Sequence, residues 1–373
     1  MPDGSVQTFG NSGLEAHWYI RDKKAMARIA RDWEFELGQT YIEGGWHTGE
    51  SELEDLLAVL RLNFSTRDTR RWYTPLMRLY LKINNVSRNY SNISRHYDVK
   101  EEVFRKFLDK EMFYSCAYFK QRDNTLEQAQ IDKAELIAGK LMLAPGQKVL
   151  DIGSGWGSLA FHLAQHYSVE VTGITLSKEQ LRVSREEAAK RGLKGVSFEL
   201  ADYREHQGSY DRIVSVGMLE HVGIDHLRTY FRQVKKLLKD DGIALIHSIG
   251  NADTPRETNP WIDKYIFPGG RIPTLSEMAQ AVEQSAMFTT DVEVLRLHYA
   301  WTLHAWLDRF RANRQEILAS MGEEFCRMWE FYLAACEAAF EYANLVVYQF
   351  QLARRHGVVP VTRDYLLRRN NRT

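Results

Sequence analysis

Between Gln147 and Ser248, short apolar runs alternate with amphipathic stretches. Residues 148–152, 170–175, 195–200, 211–216 and 242–248 are rich in Val, Ile and Leu and too short for stable helices, which predicts five strands. Residues 158–164, 177–191 and 226–238 place apolar side chains at helical spacing, which predicts helices between them. Strands alternating with helices imply a parallel, doubly wound α/β sheet. Ligands of such sheets sit beyond the carboxyl ends of the strands. Gly153, Thr175, Asp202, Glu220 and His247 all fall on that rim.

The first strand of the pattern ends in Asp151-Ile-Gly-Ser-Gly-Trp-Gly157 and leads into a helix. Gly153, Gly155 and Gly157 let the backbone turn sharply and let a ligand come close. The helix start adds free N–H groups and a positive dipole end, which suits an anion. Any nucleotide-binding α/β fold can carry a glycine turn. The form Asp-x-Gly-x-Gly-x-Gly is narrower and resembles the S-adenosylmethionine loop of class I methyltransferases.

The flanks are less regular. Residues 26–60 mix helical patches with the turn-like Glu43-Gly-Gly-Trp46. Residues 70–82, with Arg70, Arg71, Trp72, Tyr73, Arg78 and Lys82, are basic and aromatic at rough helical spacing. Such a helix suits an anionic membrane surface, or it packs on the next domain with its Arg stems over apolar surface. Residues 84–94 are polar and turn-rich, as a linker would be. Residues 251–373 are expected to be largely helical after 270, with 329–350 as one buried helix whose Trp/Tyr stripe is core.

Composition narrows the class. A chain of 373 residues suits two domains, and 44% hydrophobic content supplies a core without disulfides. Cys116, Cys326 and Cys336 are too few and too scattered for a disulfide frame or a zinc site, so a reducing cytoplasm is expected and no metal. Lys+Arg and Asp+Glu both count 49, so no global field draws in nucleic acid. No apolar run approaches the ~20 residues that span a bilayer, and the polar start argues against a signal peptide.

Longer motifs carry a more specific resemblance. Gln147-Lys-Val-Leu-Asp-Ile-Gly-Ser-Gly-Trp-Gly-Ser-Leu-Ala160 resembles the cofactor loop of cyclopropane-fatty-acyl-phospholipid synthases and of the related mycolic acid cyclopropane synthases. Arg212-Ile-Val-Ser-Val-Gly-Met-Leu-Glu-His-Val-Gly223, Arg95-His-Tyr-Asp98 and Tyr114-Ser-Cys-Ala-Tyr-Phe119 resemble the same family. So do Ile246-His-Ser-Ile-Gly250, Trp261-Ile-Asp-Lys-Tyr-Ile-Phe-Pro268 and His298-Tyr-Ala-Trp-Thr-Leu303. Thr40-Tyr-Ile-Glu-Gly-Gly-Trp46 is similar to the extra N-terminal domain of the bacterial phospholipid enzymes. The likeness runs from about residue 35 to 350.

That resemblance implies an α/β fold: a doubly wound, seven-stranded, mostly parallel Rossmann-like sheet of the class I methyltransferase type, with a smaller, mainly helical N-terminal domain. Residues 1–95 would form the N-terminal lipid-docking or dimerisation domain with its linker, and 96–373 the catalytic domain. The implied reaction is methyl transfer from S-adenosylmethionine to a cis double bond of a phospholipid acyl chain. The resulting carbocation loses a proton from the new methyl and closes a cyclopropane ring. In the family a bicarbonate ion serves as base. Its implied holders are Cys116 and Ile249 through backbone N–H groups, and Glu220, His247 and Tyr299 through side chains. Implied cofactor contacts are Tyr97, Ser115, Asp151, Gly153, Gly155, Gly157, Thr175, Ser177, Gln180, Asp202 and Tyr203. The enzyme would be cytoplasmic, peripheral on the inner face of an anionic membrane, and a homodimer is compatible with the family.

Two departures from the family pattern stand out. Ser154 replaces a common Cys, and Val99-Lys-Glu-Glu-Val103 replaces a small residue and an Asn or Asp. Taken without the resemblance, His247 reads equally as a core histidine and Glu220-His221 as a helix-end pair. Cys116 reads as a small buried hydrophobe rather than a nucleophile, and Asp202-Tyr203-Arg204 as a polar turn. Two other functions stay open: a relative that leaves a methyl branch or methylene group, and a non-catalytic lipid- or cofactor-binding regulator. Intact Glu220, His247 and Tyr299 argue against the regulator.

Overall fold

Val149, Leu150 and Ile152 are fully buried although they point to opposite sides of one strand, and that sets the layering. In a computed structural model, which describes residues 1–8, 13–63 and 100–367, the run forms β3 (Lys148–Ile152), an interior strand of a sheet. The other strands are β4 (Glu170–Thr175), β5 (Val196–Leu200), β6 (Tyr210–Val216), β7 (Leu238–Asn251), β8 (Phe288–Val294) and β9 (Leu345–Ala353). Their order is β5-β4-β3-β6-β7-β9-β8. The first five are parallel, and β9 pairs antiparallel with β8. This is the seven-stranded, mostly parallel sheet expected.

Alternate side chains feed two cores. Leu150, Ile152, Ile213, Ala244, Ile246 and Tyr348 pack with helices Leu227–Leu237 and Leu275–Gln284 on one face. Val149, Val171, Phe198, Val214 and Leu245 pack with helices Leu126–Leu141 and Ser158–Tyr167 on the other. Burial on both faces explains why these strands read as near-continuous apolar runs.

By their contacts the described residues fall into two compact units. The sheet unit has the bounds Leu108–Arg256, Gly270–His298 and Val346–Thr373; the other has Met1–Phe107, Glu257–Gly269 and Tyr299–Leu345. The second is mainly helical. A two-residue ladder pairs β1 (Tyr19–Ile20) with β2 (Trp46–His47) beside helices Trp33–Ile42, Leu53–Asn63 and Glu323–Tyr342. Gly38 is required there: a Cβ would stand 2.6 Å from the Phe331 ring and 2.7 Å from the Trp261 indole. Trp46 is fully buried, and its indole N–H donates to the Leu37 carbonyl at 3.0 Å.

Two expectations need correction. Residues 329–350 are not one helix: the helix stops at Tyr342, Ala343 is extended (φ −128°, ψ −153°), and Leu345–Ala353 is β9. Val346, Val347, Tyr348 and Phe350 are β-branched or aromatic and sit inside the sheet, where they pack on both faces. The tail is largely helical as expected, but it also supplies β8 and β9 to the sheet. His247 is not at the end of its own strand. It pairs with Val216, the last residue of β6, while β7 runs on to Asn251. The 70–82 stretch, the 84–94 linker, Tyr97 and Val99 lie outside the described residues. Among the described residues no helix is long and apolar enough to cross a membrane.

Candidate active site

The glycine loop follows β3. Gly153, Gly155 and Gly157 all have positive φ (81°, 54° and 89°), and Gly157 caps the helix Ser158–Tyr167. Their reasons for being glycine differ. A Cβ at Gly153 would come within 2.8 Å of Met218, and one at Gly157 within 2.7 Å of Phe198. A Cβ at Gly155 would meet nothing within 4 Å, so that side of the turn is open. The N–H groups of Gly153 and Ser154 donate to the Ile174 carbonyl and tie the loop to β4.

Beneath the loop, Asp151 is 2% exposed and its Oδ2 accepts no hydrogen bond. Burial pushes its carboxyl up to about 7, with Lys133 opposing. Lys133 is itself buried, on the helix Leu126–Leu141. Its Nζ donates to Ser115 Oγ at 2.9 Å and lies 3.9 Å from the Phe113 ring centroid. Burial pulls that ammonium down, while Asp109, Cys116 and Asp151 favour its charge. Cys116 is buried, and its thiol donates to the Ala117 carbonyl.

Glu220 sits in the short turn Leu219–His221 after β6. Its Oε1 accepts the Ile249 backbone N–H at 2.6 Å, and its Oε2 is buried without a partner. Burial raises its carboxyl to about 7, against three hydrogen bonds that favour the anion. The Ile249 N–H, expected to serve a bound anion, is thus engaged by Glu220 in this state. Two residues earlier on β7, His247 is 2% exposed. Its Nδ1 lies 3.1 Å from Gln349 Nε2 on β9. Burial, then the charges of Lys133 and Lys140, hold it well below the ordinary histidine range, so the ring is neutral. Gln349 Oε1 accepts from Lys140 Nζ at 2.7 Å, and Lys140 also pairs with Glu293.

At the end of β4, Thr175, Ser177 and Gln180 form one hydrogen-bonded set: Thr175 Oγ1 donates to Gln180 Oε1 at 3.0 Å, and Ser177 Oγ caps the helix Lys178–Lys190. Asp202 is buried after β5. Burial opposes its ionisation, but hydrogen bonds from Arg204 hold it below the usual carboxylate range. The adjacent Tyr203 ring meets Tyr230 edge-on at 5.2 Å. Tyr299 belongs to the helical unit, where its ring packs on Phe340 at 4.7 Å and edge-on to Trp306 at 5.9 Å.

Sequence reasoning missed Lys133, Lys140, Gln349 and Glu293. A signal existed. Lys133 and Lys140 lie seven residues apart, two turns along one helical face with apolar Ala134, Ile137 and Leu141. Gln349 and Gln351 alternate with Tyr348 and Phe350 at strand period.

These groups fit S-adenosylmethionine. An unpartnered buried carboxylate oxygen at Asp151 suits an ammonium, and the open side of Gly155 leaves room for a ligand against the backbone. Comparisons with known proteins agree. The chain is 37% identical over 347 residues to the cyclopropane-fatty-acyl-phospholipid synthase of Escherichia coli (strain K12), covering 92% of this chain and 89% of that one. It is 35% identical over 357 residues to tuberculostearic acid methyltransferase UfaA1 of Mycobacterium tuberculosis (strain ATCC 25618 / H37Rv), covering 90% and 83%. The solved structure of mycolic acid cyclopropane synthase CmaA1 complexed with SAH and CTAB superposes with a TM-score of 0.67 at 34% identity, over 70% of this chain and 97% of that one. The family model described as mycolic acid cyclopropane synthetase matches residues 84–350. The chain belongs to that family and is an S-adenosylmethionine-dependent methyltransferase.

Proposed function

We propose that this enzyme converts a cis double bond of an unsaturated phospholipid acyl chain into a cyclopropane ring. The observation that carries the reading is the buried Glu220 carboxyl, one oxygen free and the other bonded to the Ile249 N–H, two residues along β7 from a neutral His247 that lies in the field of two buried lysines. Buried neutral donors beside a carboxyl that can be protonated suit a small anion next to a developing carbocation. Bound there, S-adenosylmethionine would supply a transferable methyl group at its sulfonium and a bicarbonate would supply a base for the proton. Glu220 near pH 7 would alternate between donor and acceptor, His247 would donate from its protonated nitrogen, and the N–H groups of Cys116 and, once Glu220 releases it, Ile249 would complete the holder; the family resemblance adds Tyr299. The alkene is a weak nucleophile, so the Asp151–Gly157 turn must hold the sulfonium in line and exclude water. Thr175, Ser177 and Gln180 would serve the ribose, and Asp202 with Tyr203 the adenine. Tyr97 and Ser115 would lie toward the methionine end.

We further propose action at the inner face of the cytoplasmic membrane, with residues 1–95 as a docking or dimerisation domain. Identity to a tuberculostearic acid methyltransferase favours a second reading, in which the same alkylation ends in a methyl branch or methylene group. Mass spectrometry and proton NMR of membrane lipids from a host expressing the chain separate the two. A gain of one CH2 with cyclopropyl protons supports the first reading. A gain of one CH2 with vinylidene protons, or of CH2 plus two hydrogens, supports the second. Unaltered lipids overturn both.

A further inference from the structure

His247 makes its hydrogen bond through Nδ1 to an amide whose orientation is not free. Lys140 Nζ has only protons to offer, and it stands 2.7 Å from Gln349 Oε1. The carbonyl end of Gln349 must therefore face Lys140, and its NH2 end must face His247, where the separation is 3.1 Å. An NH2 group can only donate, so Nδ1 of the neutral ring must accept. Burial pulls the Lys140 ammonium down, and its pairing with Glu293 opposes that pull. Lys140, Gln349 and His247 are all buried, so water does not compete for these bonds.

We propose that Lys140 and Gln349 are positioning residues that fix His247 as the tautomer protonated at Nε2, so that it can serve the active site only as a donor. The inference rests on the role assigned to His247 above. Which ring nitrogen carries the proton is set by the bond the other one makes, and partners of this kind typically change activity roughly 10- to 100-fold when lost. The device would keep His247 from competing with the bound anion as a base and commit it to stabilising negative charge.

Long-range nitrogen–proton NMR on protein labelled at its twelve histidines reads the tautomer directly, with His247 assigned by the signal lost in His247→Asn. The parent should show a neutral ring protonated at Nε2. Gln349→Glu puts an acceptor against Nδ1 and should move the proton there, with kcat reduced roughly 10- to 100-fold and KM and calorimetric cofactor affinity little changed. Lys140→Met frees the amide to turn and should give mixed tautomers. A parent ring protonated at Nδ1, or a Gln349→Glu ring that stays protonated at Nε2, overturns the clamp. The parent spectrum decides even if the variants fold poorly. If the tautomer moves and turnover does not, the clamp stands and the catalytic role of His247 fails.

Discussion

Glu220 is held in a protonation balance that costs stability. Its ordinary value is 4.5 and burial lifts it to about 7. The folded state therefore binds the proton more tightly than the unfolded one, and stability falls as pH rises from the ordinary value to the raised one. At about 1.4 kcal/mol per pKa unit the penalty reaches ~3 kcal/mol above that window. Glu220→Gln should therefore unfold at higher denaturant than the parent at about pH 8, with the gap closing toward about pH 5, and should transfer no methyl groups. Equal midpoints at the higher pH would mean that the carboxyl is not buried in solution as it is here. His247 works in the opposite sense: its depressed value makes it a source of instability as pH falls below 6.5. Cys116→Ser should remain active, because its proposed contribution is a backbone N–H. Loss of turnover in that variant would reveal thiol chemistry.

At the scale of elements, the glycine loop separates fold from ligand. Gly157→Ala should destabilise the apo protein by about 1–3 kcal/mol, because its Cβ meets Phe198 and Phe161 at positive φ. The Cβ of Gly155→Val meets no protein atom within 4 Å. It should cost only the left-handed backbone, about 1–2 kcal/mol, yet weaken S-adenosylmethionine binding strongly. Calorimetry showing parental affinity in Gly155→Val would remove the loop from the cofactor site. The loop was legible because its glycines interrupt a strand-then-helix pattern, and β3 and β4 came out at their observed bounds for the same reason. β9 was not, because residues 329–350 are apolar at both helical and strand periods and the break at Ala343 carries no Gly or Pro. Lys133 and Lys140 were missed because lysines on a helix ordinarily mark its wet face. Their partners Ser115, Gln349 and Glu293 are remote in sequence, and no local pattern announces such a pairing.

For the whole molecule the question is access, since the acyl double bond lies roughly 10 Å or more below the headgroups of a ~30 Å hydrocarbon core. The proposed first contact is the basic-aromatic stretch around Arg70–Lys82. Replacing Arg70, Arg71 and Arg78 with Gln should weaken binding to anionic vesicles by about 1 kcal/mol per charge, with the loss masked at high salt and cofactor affinity kept. Co-sedimentation of the triple variant equal to the parent at low salt would move docking elsewhere. The order of the strands carries one more consequence. The edge strand β8 touches the sheet only through β9, and β9 is the last of the seven to be translated. A growing chain can lay down β3 to β7 as it emerges, but β8 must wait unattached until β9 slides in between. That same arrival brings Gln349 to His247. The proposed clamp on His247 is therefore a property of the finished sheet alone, and a nascent chain that already carries its cofactor loop does not yet have it.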